Sequence, residues 1–173
     1  LAVDDDMQNR EVLARRLERQ GLRVETASGG LEALSKVESR AFDAILLDVM
    51  MPDMDGLSVL RRIKEQPTLR HIPIIMLSAL DEIDVVIRCV EAGAEDYLPK
   101  PVNPTLLRAR LSTCLEKKFF RDHEKEYLQT IERTQARLAQ ELEDAAKYVR
   151  SILPEGMEQP LRIDWRYQPS GEL

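Results

Sequence analysis

Four short stretches of the sequence end in side chains that could act together on a charged group. Ala44-Ile45-Leu46-Leu47 runs into Asp48, and Leu1-Ala2-Val3 runs into Asp4-Asp5-Asp6. A third apolar run, Ile72 to Leu77, ends in Ser78-Ala79. A fourth, Asp96-Tyr97-Leu98, ends in Pro99-Lys100-Pro101. Adjacent carboxylates repel one another, so Asp4, Asp5 and Asp48 gathered on one rim need a cation. Hard oxygen ligands in small number, with waters retained, suit magnesium. Asp5 and Asp48 would ligate it directly, and Asp4 through water or directly. The metal would lower the repulsion between Asp48 and an incoming phosphoryl group, so Asp48 could act as nucleophile and become an aspartyl phosphate. Lys100 is a compact point charge on a flexible stem, suited to one phosphate oxygen. The Ser78 hydroxyl could donate to another. Each residue alone is ordinary: an aspartate caps turns, a lysine makes surface ion pairs, a serine ends strands. The joint arrangement is what carries the signal.

Elements that could bring these residues together follow from periodicity. Apolar runs of four to six residues bounded by turn residues read as buried parallel strands. Strands are expected at Leu1–Val3, Leu22–Thr26, Phe42–Leu47, Ile72–Leu77 and Asp96–Leu98. Helices are expected between them. The first, Asp6 to Gln20, is capped by Asp6 and faces the core with Met7, Val12, Leu13 and Leu17; Gly21 ends it. The second opens at Gly29-Gly30 and runs through Leu31, Leu34 and Val37. The third is Leu57 to Glu65, after the turn residues Pro52, Asp53 and Gly56. The fourth, Asp81 to Ala92, carries the apolar stripe Ile83, Val86, Ile87 and Val90, with Cys89 beside it and Gly93 after it. Five strands alternating with amphipathic helices predict an α/β fold with a doubly wound, five-stranded parallel sheet. Right-handed crossovers put all the strand ends on one rim. That rim collects Asp4, Asp5, Asp48, Ser78 and Lys100.

Beyond Pro104 the pattern changes. Neither proline nor glycine occurs from Thr105 to Leu153, room for one helix of roughly 75 Å at about 1.5 Å per residue. Leu106, Leu107, Leu111 and Leu115 should pack on the sheet. Farther on, Leu128, Ile131, Gln135, Leu138, Leu142, Ala145, Val149 and Ile152 repeat at alternating steps of three and four, a heptad seam. The seam predicts a coiled-coil homodimer; a single helix docked on a further domain is the alternative. Between Lys117 and Tyr127, Arg121 and Glu124 fall on seam positions, which predicts a break or stutter. The expected division is therefore 1–115 for the α/β domain, 116–153 for a helical linker, and 154–173 for the front edge of a further domain. Pro154 and Gly156 end the helix, and Leu161 to Tyr167 reads as one strand.

Charge and cysteine usage exclude several classes. The net charge of −6 lies in residues 1–103, where 13 basic residues face 19 acidic ones; residues 104–173 carry 12 of each. No basic surface suggests nucleic acid, and no apolar run approaches a membrane span. Cys89 and Cys114 lack metal-ligand spacing, and no signal peptide is evident, so both are expected to be reduced thiols in a cytoplasmic protein. His71 and His123 show no partner pattern. Leu1 is not an initiator methionine, so the true N-terminus is expected upstream.

Residues 1 to about 115 resemble the response-regulator receiver domain of two-component signalling. The motifs are Val3-Asp4-Asp5, Leu47-Asp48-Val49-Met50-Met51-Pro52-Asp53-Met54-Asp55-Gly56, Leu77-Ser78-Ala79, and Asp96-Tyr97-Leu98-Pro99-Lys100-Pro101, in that family's order and spacing. The resemblance implies a flavodoxin-like fold and Asp48 as phospho-acceptor. It implies catalytic roles for Lys100 and Ser78, and Mg²⁺ held by Asp5, Asp48 and the Met50 carbonyl, with Asp4 beside it. It also implies Ser78 and Tyr97 as a switch pair, a cis peptide at Lys100-Pro101, and a sensor histidine kinase or phosphotransfer protein as partner. Met50 and Leu80 would screen the phosphoryl group, which predicts slow hydrolysis. Ala145 to Pro154 and Trp165 to Ser170 resemble the lead-in to a SpoIIE-like PPM serine/threonine phosphatase domain. That implies a catalytic output or a degenerate adaptor binding an anti-sigma or sigma-factor pathway protein. A haloacid-dehalogenase-type phosphohydrolase would want a second acid two residues after the nucleophile, where Met50 stands. A DNA-binding output lacks a helix-turn-helix.

Overall fold

A computed structural model of the chain describes residues 1–79 and 83–152. The elements alternate as expected: β1 (Ala2–Val3), α1 (Met7–Glu18), β2 (Thr26–Ala27), α2 (Gly30–Ser39), β3 (Ile45–Asp48), α3 (Gly56–Glu65), β4 (Ile74–Ala79), α4 (Ile83–Glu91), β5 (Asp96–Lys100) and α5 (Pro104–Ile152). All five strands are parallel, in the order β2-β1-β3-β4-β5. The order reverses between β1 and β3, and open α/β sheets bind ligands outside the strand ends at that switch point.

Strand periodicity splits the core in two. Ile45, Leu47, Ile74 and Met76 project to one face, against Leu34 and Val37 of α2, Leu60 and Ile63 of α3, and Cys89 of α4. Leu46, Ile75 and Leu77 project to the other, against Leu13 and Leu17 of α1 and Leu107, Leu111 and Cys114 of α5. Successive residues of one strand feed opposite layers, which is why β3 and β4 are apolar without interruption. Both cysteines are buried and free, and burial, with Glu95 and Asp96 adding to it, pushes the Cys114 thiol up to about 11.

Caps explain the helix starts. Asp6 accepts the Asn9 N–H at 2.9 Å, as its position predicted. Asp55 accepts both the N–H and the hydroxyl of Ser58, at 2.8 and 2.7 Å. Asn103 accepts the N–H groups of Thr105 and Leu106 ahead of α5, and Pro104 stands at the first helical position, where a missing N–H costs nothing.

Two helix faces differ from expectation. Met7 and Val12 of α1 are exposed. On α4 the core side is Val85 and Cys89, followed by Ala92 just past its end, while Ile87 and Val90 are more than half exposed. This segment is apolar nearly all round, so hydropathy could not choose its face. Beta-2 is also displaced: Leu22 and Val24 pack beside the second layer without pairing, and the ladder begins at Thr26.

Alpha-5 is helical throughout its 49 residues, so the expected break between Lys117 and Tyr127 is not a backbone break. Arg121 and Glu124 interrupt a seam but are good helix formers. The chain divides into two compact units, Leu1–Lys125 and a second from Glu126 onward. In the second, Leu128, Leu138, Leu142, Val149 and Ile152 of the seam are all exposed. Among the described residues, no helix is long and apolar enough to cross a membrane.

Candidate functional site

Asp4 follows β1 directly, and Asp48 is the last residue of β3. The two strands are neighbours, with Val3 opposite Leu47, so both carboxylates emerge at one rim. Asp4 is 1% exposed and Asp48 4% exposed, whereas Asp5 is open to solvent. Carboxylate oxygens of Asp4, Asp5 and Asp48 lie within 4.8 Å of one another. Lys100, at the end of β5, reaches between the two buried acids: its Nζ is 2.8 Å from an oxygen of Asp4 and 2.8 Å from one of Asp48.

One ammonium thus faces three carboxylates. Burial raises the Asp48 pKa above its ordinary value; the bond and charge of Lys100 oppose that, the Asp4 charge adds to it, and the Met50 backbone N–H opposes it. Burial pulls Lys100 down, yet its bonds to Asp4 and Asp48 outweigh burial and hold it above an ordinary lysine. The residual negative charge and the all-oxygen donor set fit a divalent hard cation. Both oxygens of Asp4 are engaged, one by Lys100 and the other by the Asp6 N–H at 2.9 Å. Asp5, open to solvent, is the freest of the three to bind the cation.

Ser78 is buried near the end of β4, one strand over from Asp48, whose register partner is Leu77. It stands at the same rim. Tyr97 does not join the cluster. It pairs with Met76, earlier along β4, and its ring is 43% exposed. The Met50 side chain is 65% exposed, while its N–H bonds to Asp48. Leu80, expected beside it, lies outside the described residues. The Lys100-Pro101 peptide is cis, as the resemblance implied.

Several supporting residues gave no signal in the sequence. Arg10 donates to the carbonyls of Asp4 and Asp5, at 2.7 and 3.1 Å, fixing the turn that carries both acids. Arg16 donates to the Val102 carbonyl at 2.7 Å, tying the segment after Lys100 to α1. Arg16 and Val102 are far apart in sequence, so no local pattern could reveal that pair. Asp53, read as turn chemistry, instead accepts N–H groups at the start of α2. Gly56 was also read only as a turn residue, yet a Cβ there would overlap the Asp48 carbonyl.

Residues 1–112 match the family model described as the response regulator receiver domain. Among curated relatives, the response regulator MprA of Mycobacterium ulcerans is 43% identical over 124 residues, 72% of this chain and 53% of MprA. The response regulator PleD of Caulobacter vibrioides is 43% identical over 111 residues, 64% of this chain and 24% of PleD. The chain thus spans about half of one relative and a quarter of the other. Among solved structures, the signal receiver domain of a signal transduction histidine kinase from Syntrophus aciditrophicus superposes with a TM-score of 0.63 at 35% identity, covering 67% of this chain and 88% of that one.

Proposed function

The chain belongs to the response regulator receiver family, and from that premise we propose that it accepts a phosphoryl group on Asp48 from a sensor histidine kinase or phosphotransfer protein and signals through its long helix. The observation that carries this reading is Lys100 at 2.8 Å from both Asp4 and Asp48, with Asp5 beside them. An Asp48 carboxylate oxygen attacks phosphorus in line with the departing nitrogen of the donor's phosphohistidine. The O–P bond forms as the P–N bond breaks, and the imidazole leaves. Lys100 can turn from Asp48 to a phosphoryl oxygen while keeping its bond to Asp4, so its charge follows the charge that moves. Mg²⁺, held by Asp5, Asp48 and the Met50 carbonyl, would neutralise the transferring oxygens. The donor must approach the rim, and exposed Met7, Val12 and Met50 flank it. Ser78 and Tyr97 form the switch: the serine hydroxyl turns toward the phosphate and the tyrosine ring moves into the space released.

The helix beyond Glu126 pairs with its counterpart in a second copy. Its support is the exposed seam from Leu128 to Ile152, three and a half heptads with apolar residues at seven of eight positions. The SpoIIE-like PPM phosphatase output, its adaptor alternative and a sigma-factor pathway partner rest on the resemblance of residues 145–154 and 165–170 alone, half of which lie outside the described residues. A cytoplasmic setting follows from the proposed donor.

Transfer of labelled phosphoryl from a phosphorylated histidine donor tests the reading. The label should appear on the chain, and hydroxylamine should release it as an acyl phosphate. Lys100→Ala should slow transfer by about 10²-fold, the size expected when one positioned charge is removed. A hydroxylamine-resistant label, or parent-like transfer by Lys100→Ala, would contradict it.

A further inference from the structure

The segment between β3 and α3 carries Met50, whose N–H bonds to Asp48. Its two ends are fixed by backbone. Val49 donates to Leu77 at 3.0 Å and Gly56 donates to Val49 at 2.8 Å, with Gly56 packed on the Asp48 carbonyl. Its middle is fixed by a side chain reaching to another element. Asp53 accepts the Gly30 N–H on one oxygen at 3.2 Å and the Leu31 N–H on the other at 3.1 Å. The capping position of α2 is Gly29, which has no side chain to offer, so this helix receives its cap from the loop.

The fit is close on both sides. A Cβ at Gly29 would stand 2.7 Å from the Asp53 carboxylate, and one at Gly30 would meet Val59 at 2.6 Å and the Met54 carbonyl at 2.9 Å. The two adjacent glycines thus leave room for close neighbours, the Asp53 carboxylate at Gly29 and both Val59 of α3 and the Met54 carbonyl at Gly30. The loop bearing the Met50 backbone and the start of α2 form one unit joined through Asp53.

We propose that Asp53 is a positioning residue for the Asp48 site, holding the Met50 backbone at the rim by capping α2 from the loop. The inference rests on the reading of Asp5, Asp48 and the Met50 carbonyl as Mg²⁺ ligands. Asp53 touches neither the cation nor the phosphoryl group. It acts through the loop, as outer partners orient metal ligands elsewhere.

Mg²⁺ titration of the full chain, followed by the Met50 amide resonance, tests this against a matched control. Glu32 also secures the start of α2, accepting the N–H and hydroxyl of Ser28 at 2.8 and 2.7 Å, but it does not touch the loop. Asp53→Ala should weaken Mg²⁺ binding about tenfold, the lower end of the range for such outer partners. Asp53→Asn, which keeps one acceptor oxygen, should fall between it and the parent. Glu32→Ala should lower the Tm yet bind Mg²⁺ as the parent does. Parent-like binding by Asp53→Ala, or equal weakening by Glu32→Ala, would overturn the inference while leaving the cation reading intact. A parent whose Met50 resonance ignores Mg²⁺ would overturn both.

Discussion

The two units of this chain use the same apolar residues to opposite ends. From Leu1 to Lys125, Ile45, Leu60, Ile63, Ile75 and Leu98 are wholly buried. From Glu126 on, Leu142 is 71% exposed and Ile152 62% exposed. The first unit satisfies its hydrophobic faces within one chain, since each strand feeds two helical layers. Among the described residues the second holds a single helix, and a helix draws most of its stability from packing an apolar face. Ion pairs such as Lys147 with Glu143 at 2.7 Å help locally, but exposed pairs contribute little. The first unit buries its apolar faces within the chain; the second leaves its seam exposed, and the proposed pairing with a second copy would cover it.

Substitutions at apolar positions of the two units should therefore diverge. Ile75→Ala, in the centre of the sheet, should cost about 2–5 kcal/mol in urea unfolding, through lost burial and the cavity left behind. Leu142→Glu should leave that unfolding transition in place. It should instead weaken self-association at least about tenfold in sedimentation equilibrium, because a charge enters a heptad core position. Phosphoryl acceptance by Leu142→Glu should match the parent. A parent that is monomeric at every concentration would break the comparison at its second half.

The smallest effect is one of pH. Glu32 is held at about 2 rather than 4.5, chiefly by its bond to Lys36 and then by those to Ser28. The unfolded chain therefore takes up this proton first as pH falls. The stability Glu32 contributes is complete above pH 4.5 and is lost between 4.5 and about 2. The Tm gap between parent and Glu32→Gln, about 1–2 °C at most for an exposed pair, should close over that interval. A gap that widens on acidification would contradict the assignment.

The sequence made the rim legible because each apolar run stops where its chemistry begins. Asp4, Asp48, Ser78 and Lys100 all lie at strand ends, and strand ends of a parallel sheet share one side. Hydropathy also located the five strands but not their registers: Leu22 and Val24 report burial, not pairing. It misjudged α4, where Ile87 and Val90 looked like core and the smaller Cys89, with Ala92 just past the helix end, is what fits. Contacts made across long sequence separations stayed hidden. Arg16 with Val102, and Asp53 with Gly30 and Leu31, have no local spacing to betray them, although the adjacent glycines at 29 and 30 were the trace of the second.

The intact mass of the chain after exposure to Mg²⁺ and a small acyl phosphate, beside Asp48→Ala, tests the central claim most directly. The account predicts one added phosphoryl group on the parent and none on the variant. An unmodified parent, or a variant modified to the same extent, would contradict Asp48 as the acceptor.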